Sequence, residues 1–329
     1  MSPPLVEAAR GLATEQTPVW VMRQAGRYLP EYRELRKKVP FQKAVATPEV
    51  AAEITLQPIE RFAMDGAVIF ADIMTPLEAM GVDIEFDPGP KLRPHTLREV
   101  VDLPELKTER VSFVAETIRL VRQAVPPGIA VIGFAGAPLT LLAYLVEGGG
   151  SKDYMTLRAG LRRDPDTAAA ALHHLARSMG EYLAMQVDAG ADVVQLFDSW
   201  AGIVDRLTYA DLVAPAASVV LSTQQVPTIY FAPHSPHTID LQAAVGADVY
   251  GVDWRLPLDQ AWDRIGAGAI QGNLDPAVLL SDPDKIATAV EDVMSRARGR
   301  SGHIFNLGHG IHADTPPENL AAMVDAVRG

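Results

Sequence analysis

Eight short runs rich in valine, isoleucine and phenylalanine recur along the chain, at residues 18–22, 66–71, 129–134, 192–197, 228–231, 248–252, 269–271 and 303–306. Each is followed by turn residues and then by a segment whose apolar positions repeat at helical spacing. Runs such as VVQLF and AVIGF are apolar at consecutive positions, which suits strands covered on both faces, as in a parallel sheet. The helical segments open on definite signals. Thr47-Pro48-Glu49 predicts an N-cap and a proline at the first helical position for a helix over residues 48–64. Asp164-Pro165 opens a helix that runs to residue 189 and stops at Gly190. Asp282-Pro283 opens another over residues 282–298, and Thr315-Pro316-Pro317-Glu318 starts the last.

Eight strands alternating with a like number of helices predict an α/β fold that closes as a (β/α)8 TIM barrel. A doubly wound open sheet is the alternative. It calls for a glycine-rich phosphate loop after the first strand, and RQAGRYLPEY in that place holds one glycine. No Pro/Gly/Ser linker interrupts the alternation. The expectation is one domain over residues 1–329, with an irregular insertion at 81–98.

In such a barrel the loops at the C-terminal ends of the strands build the active site. Just past the runs lie Arg23 and Arg27, Asp72, Phe134 with Gly136 and Tyr144, Asp198 and Ser199, and His234 with His237. Asp253 with Trp254, Asn273 with Asp275, and Gly308 with His309 and His312 complete the series. Each has a plainer reading: an aspartate after a strand commonly caps a helix or forms a turn, and Arg27 could pair with Glu31. Ser199 lies in DSWAG, which is not a nucleophile elbow. The pairs His234/His237 and His309/His312 have metal-ligand spacing, but they fall on proline- or glycine-bearing loops and lack a third ligand, so no metal is expected. The GGGS at 148–151 lacks the G-K-[ST] ending of a nucleotide loop.

Composition narrows the chemistry. Of 329 residues 48% are hydrophobic, enough for a large core. There is no cysteine, which excludes disulfides, thiolate nucleophiles and Cys-based metal sites. The 24 residues 123–146 carry no charged side chain, but three prolines and several glycines break them into turns and a strand rather than a membrane span. Residues 1–20 show no basic segment followed by an apolar one, so no secretory signal is expected and a cytoplasmic location is. The net charge of −12 disfavours nucleic-acid and anionic-membrane partners. That charge is uneven. Residues 23–43 hold seven basic side chains against Glu31 and Glu34, a local +5 that leaves −17 for the rest. The plain reading is a solvated basic loop; the functional one is a guanidinium gate for an anionic ligand.

Several segments together resemble one family, uroporphyrinogen decarboxylase. PVWVMRQAGRYLPEYR at 18–33 is similar to its first signature and GFAGAPLTLLAYLVEGGGS at 133–151 to its second. The likeness continues through IFADI at 69–73, FDSWAG at 197–202, QGNLDP at 271–276 and HIFNLGHGI at 303–311. The resemblance implies a (β/α)8 barrel, commonly homodimeric, that works without a cofactor and removes CO2 from the four acetates of uroporphyrinogen III. It implies a tetrapyrrole-binding segment at Arg23, Gln24, Ala25, Gly26 and Arg27, a pyrrole-facing carboxylate at Asp72, and further contacts at Tyr144, Ser199 and His309. Asp72 would stabilise a pyrrole cation, Arg23 and Arg27 would hold carboxylates and one could deliver a proton, and Tyr144 would orient the acetate or Asp72. Ser199 and His309 would bind peripheral carboxylates.

The chain departs from the family pattern at Ala71, where serine is common, at Ala313, where proline is common, and in FAPHSPH at 231–237, where a glycine-rich loop is expected. Two rivals stay open on the sequence: a corrinoid-dependent methyltransferase, whose cysteine-held zinc this chain could not reproduce, and a non-catalytic tetrapyrrole carrier.

Overall fold

The computed structural model describes residues 2–86 and 89–329. The first strand is β1, Gly66–Val68. An antiparallel ribbon follows, β2 Glu85–Phe86 with β3 Pro90–Lys91. The others are β4 Ala130–Gly136, β5 Val193–Phe197, β6 Thr228–Phe231, β7 Val249–Gly251, β8 Ala269–Gln271 and β9 His303–Ile304. Outside the ribbon, seven strands form one curled parallel sheet in the order β1-β4-β5-β6-β7-β8-β9. Sequence neighbours pair in space, as right-handed β-α-β crossovers dictate. All residues of these strands are buried except the half-buried Phe197. This is why their sequences read as unbroken apolar runs.

At the N-terminal end of the sheet one device recurs. An aspartate just before a strand accepts the main-chain N–H that opens the strand beside it. Asp65 takes Val19 N–H at 2.8 Å, Asp192 takes Val131 N–H at 2.8 Å, and Asp248 takes Thr228 N–H at 2.8 Å. Arg328 and Arg122 reach two of these carboxylates from helices, at 3.3 and 2.7 Å. A charge-assisted hydrogen bond of this kind is roughly twice as strong as a neutral one.

Residues 18–22 correct the first expected strand. They lie between β9 and β1, but make one parallel bridge, Val19 to Phe305, rather than a regular strand. Side chains take the amides a ladder would need: Asp65 that of Val19, Gln24 that of Val21 (3.2 Å) and Asn306 that of Met22 (3.1 Å). Main-chain bonds still run to both neighbours, from Phe305 N–H to Pro18 O (2.8 Å) and from Asp65 N–H to Val19 O (2.9 Å). The second run ends at Val68 instead of 71 for a similar reason, since Thr55 Oγ1 takes Phe70 N–H at 2.9 Å. The last ends at Ile304 instead of 306.

A buried polar chain crosses the interior. Trp20 Nε1 donates to Gln271 Oε1 at 2.9 Å, and Gln271 Nε2 donates to Gln195 Oε1 at 3.0 Å. It ties residues 18–22 to β8 and β5.

The long helices form where expected, at Pro48–Phe62, Pro165–Asp188, Pro283–Ala297 and Pro317–Arg328. Asp164 caps its helix through Thr167 N–H at 3.1 Å. Thr47 stands at the cap position, but its hydroxyl donates to Lys43 O instead. The uncharged stretch 123–146 becomes a turn, β4 and helix Pro138–Glu147. Among the described residues no helix is long and apolar enough to cross a membrane. The GGGS run is no phosphate loop either. Gly148 terminates helix Pro138–Glu147, and Gly149 bridges to Lys91 of the insertion. Of that insertion, residues 87 and 88 lie outside the described part.

Candidate active site

Because the strands are parallel, the segments after them emerge at one end of the sheet. Arg23 sits in a tight turn there, tied by Gln24 N–H to Val21 O (3.1 Å) and Leu29 N–H to Gly26 O (3.0 Å). Its φ is +63°, a left-handed conformation that costs a non-glycine residue about 1 kcal/mol or more. Such strain persists where the surroundings fix it and the position has a use. Its side chain lies against Gly310, where an added β-carbon would stand 2.5 Å from Arg23 Cδ. Arg23 itself is exposed at the mouth.

Asp72 follows β1. One carboxylate oxygen accepts Met74 N–H at 2.8 Å, closing the turn that starts helix Thr75–Ala79. Burial pushes its pKa up, while the Met74 amide and the Arg23 guanidinium oppose that shift. Asp72 lines a cavity of about 320 Å³ with Phe41, Phe86, Phe113, Glu78 and Arg110. Tyr144, on the helix after β4, is close enough to feel both Asp72 and Arg23, and burial raises its phenol pKa. Its ring meets Trp200 edge-on at 6.1 Å.

His309 follows β9. Burial, then Arg23, then His234 push its pKa down to about 4, so the ring is neutral at pH 7 and offers one N–H donor and one acceptor. It stands 6.4 Å from the Phe231 ring. Phe231 continues edge-on to Phe197 (6.1 Å) and Phe197 to Phe134 (5.5 Å). Three strands thus supply a row of aromatic rings that ends at His309, while Arg23 lies within electrostatic reach of Asp72, Tyr144 and His309. That arrangement suits a ligand with an apolar body and anionic edges.

The other candidates are placed differently. Gln24 is fully buried, and its amide donates to Gly66 O at 2.8 Å, so it braces the turn from within. Ala25 packs against the core. Gly26 belongs to the turn itself. Arg27 is exposed and forms no ion pair among the described residues; Glu31 pairs with Arg61 at 3.1 Å instead. Ser199 is half-buried after β5. The basic window divides accordingly: Arg33 bonds the carbonyls of Arg27 and Tyr28, Arg36 that of Val39, and Lys37 pairs with Glu34. Arg23, Arg27, Lys38 and Lys43 are exposed and make no ion pair among the described residues, and of these Arg23 and Arg27 lie in the turn just after residues 18–22.

Within each histidine pair the second member turns away from the first. His237 contacts Val204 O at 2.8 Å, and His312 faces Asp314 at 3.6 Å. Among the described residues no group of three His, Asp or Glu gathers as a metal site.

Asp198 carries more than its position after β5 suggested. Fully buried, it accepts from Thr140 Oγ1 (2.9 Å) and Tyr230 OH (2.8 Å), and Tyr209 OH extends the chain to Tyr230 at 3.2 Å. Burial lifts its pKa to about 6 against those hydroxyls. Thr140 also accepts Trp200 N–H at 3.2 Å, so the network holds the loop that bears Ser199. FDSWAG marked the segment, but nothing local in the sequence announces hydroxyls from residues 140 and 230. A larger cavity, about 740 Å³, lies along the outer face of helix Pro48–Phe62 and holds none of these residues.

The profile of the family described as "Uroporphyrinogen decarboxylase (URO-D)" matches residues 2–329. A protein of Syntrophotalea carbinolica named "Uroporphyrinogen decarboxylase" is 44% identical over 98% of this chain and 96% of its own length. One of Geotalea daltonii with the same name is 41% identical over 99% and 98%. Among solved structures, a methyltransferase from Methanosarcina mazei superposes with a TM-score of 0.82 at 21% identity, covering 98% of this chain and 97% of its own. At that identity the likeness concerns the fold.

Proposed function

The chain belongs to the uroporphyrinogen decarboxylase family, and on that premise we propose that it converts uroporphyrinogen III to coproporphyrinogen III by removing CO2 from four acetate side chains. The observation that carries this reading is that Arg23 lies within electrostatic reach of Asp72, Tyr144 and His309, all on segments that follow strands.

Decarboxylation of an acetate leaves an electron pair on its methylene carbon. A pyrrole protonated on the adjacent ring carbon accepts that pair as CO2 leaves. The exocyclic carbon then takes a proton and the ring carbon gives one up, so each turn consumes one proton and releases one CO2. The substrate supplies its own electron sink, so the reading needs no cofactor. The barrier lies at the pyrrole cation, and a carboxylate fixed beside the pyrrole N–H groups lowers it. Asp72 has that role. Its turn, locked by Met74 N–H, needs no reorganisation when charge develops. Arg23 and Arg27 bind substrate carboxylates at the mouth, and one of them hands over a proton. Tyr144 orients the reacting acetate or Asp72. Neutral His309 and Ser199 hydrogen-bond peripheral carboxylates, while Gln24, Ala25 and Gly26 shape the turn that presents the arginines.

The proposal includes closure of the sheet. Residues 18–22, bonded to β9 on one side and beside β1 on the other, serve as the eighth stave of a single-domain (β/α)8 barrel. The family resemblance supports a cytoplasmic homodimer. The charge of −12 argues against a nucleic-acid partner, while the local +5 at residues 23–43 favours an octacarboxylate. Anaerobic incubation with uroporphyrinogen III tests the reading. Hepta- to tetracarboxylate products and released CO2 are expected; neither appearing would refute it.

A further inference from the structure

The loop after β6 reads FAPHSPH and places an imidazole at the mouth. His234 is exposed, and its φ is +60°, the left-handed region that favours glycine. Three contacts hold it there. Its N–H donates to Asp253 Oδ2 at 2.7 Å. Asp253 is itself fixed by Arg255, through its main-chain N–H at 2.9 Å and its guanidinium at 2.7 Å. Behind the loop, Gly202 leaves room for the His234 carbonyl, from which an added β-carbon would stand only 2.2 Å. The next loop is anchored as well: Arg255 stacks 4.4 Å above Trp254, and Trp254 N–H lies where a β-carbon on Gly308 would come within 2.5 Å. The result is a strained, over-determined loop that turns the His234 ring toward His309, with centroids 6.0 Å apart at 70°. Trp254 stands at 6.3 Å on its other side.

We propose that His234 and His309 together bracket one peripheral carboxylate of the substrate, making His234 a binding residue of this chain. The inference rests on the tetrapyrrole reading above. Rings with centroids 6.0 Å apart are too close for a carboxylate to pass between them, but a nitrogen of each can donate to one carboxylate seated across their shared rim. Asp253 does not compete for the ring, because its oxygens are spent on the His234 main chain and on Arg255. A loop built only to turn the chain would hold glycine at φ +60° without strain.

The test uses His234→Gly, which suits the left-handed backbone and folds, alongside His234→Gln, which keeps a side-chain N–H donor. Steady-state decarboxylation of uroporphyrinogen III and anaerobic calorimetric binding of coproporphyrinogen III are measured on each. A lost hydrogen bond to a charged group predicts roughly a tenfold or greater rise in KM and in the product Kd for His234→Gly. The kcat should hold within about threefold, and His234→Gln should recover most of the affinity. Unchanged KM and Kd in His234→Gly, with the unsubstituted protein active, would overturn the bracket and leave the decarboxylase reading standing. An unsubstituted protein that neither turns over nor binds tetrapyrrole would overturn both.

Discussion

Replacing Asp198 by asparagine should flatten one part of the pH dependence of stability. The carboxyl has no contact with solvent and sits between the hydroxyls of Thr140 and Tyr230. In the fold its pKa is lifted from 3.8 to about 6. The folded chain therefore binds this proton more tightly than the unfolded chain does. The corresponding stability is fully present below about pH 4 and is lost as pH rises through 6. About two pKa units at 1.36 kcal/mol each give a change of about 3 kcal/mol across that window. Asparagine is uncharged throughout. It adds an offset that does not vary with pH, because one acceptor oxygen becomes a donor facing hydroxyls that already donate. Urea unfolding of the two proteins in steps from pH 4 to pH 7 isolates the term, since all other titrating groups cancel in the difference. The unfolding free energy of the parent relative to Asp198→Asn should fall by about 2 kcal/mol between those limits, the rest of the change lying below pH 4. A difference that stays constant across the series would show that Asp198 ionises as freely in the fold as in the unfolded chain.

Other outcomes follow from the mouth of the sheet. Asp72→Asn should lower kcat by roughly a hundredfold or more while KM stays within a few-fold, because the lost charge acts on a transient cation; an equal loss of binding with an unaffected chemical step would count against that role. Gly202→Ala should reduce stability by about 1–3 kcal/mol, read as a lowered Tm, since its β-carbon meets the His234 carbonyl 2.2 Å away; an unchanged Tm would mean that the loop yields freely. EDTA should leave decarboxylation unaffected, and inhibition reversed by added zinc would refute the reading of the histidine loops.

Much of this molecule is legible in its sequence, and the exceptions have a common cause. β4, β5, β6, β7 and β8 follow their apolar runs closely, because a strand buried on both faces leaves a continuous hydrophobic signature. Residues 18–22 carry the same signature, yet Asp65, Gln24 and Asn306 take the amides a ladder would use. Apolar pattern reports burial; it does not report which acceptor a buried amide finds. The site shows the same division. Family motifs pointed to Arg23, Asp72, Tyr144 and His309, and Arg23 lies within electrostatic reach of the other three. The motifs did not reveal that Gln24 spends its side chain on Gly66, or that Asp198 anchors hydroxyls from two other elements. Those are partnerships between segments tens of residues apart. The left-handed turn at Arg23 was equally unreadable, since arginine does not advertise that backbone.

The aspartates beneath the sheet divide it in a way the strand order conceals. Asp65 joins residues 18–22 to the start of β1, Asp192 joins β4 to β5, and Asp248 joins β6 to β7. The seams between β1 and β4 and between β5 and β6 are stitched at that end by main-chain bonds, from Ala130 N–H to Asp65 O and from Val194 N–H to Pro227 O. Three of the junctions are thus riveted by a carboxylate, while those on either side of β8 rely on main-chain bonds, from Ala269 N–H to Asp248 O and from Ile270 N–H to Gly302 O. A carboxylate shared by two neighbouring segments fixes their starts in one register, so the loss of a single aspartate would loosen two segments at once.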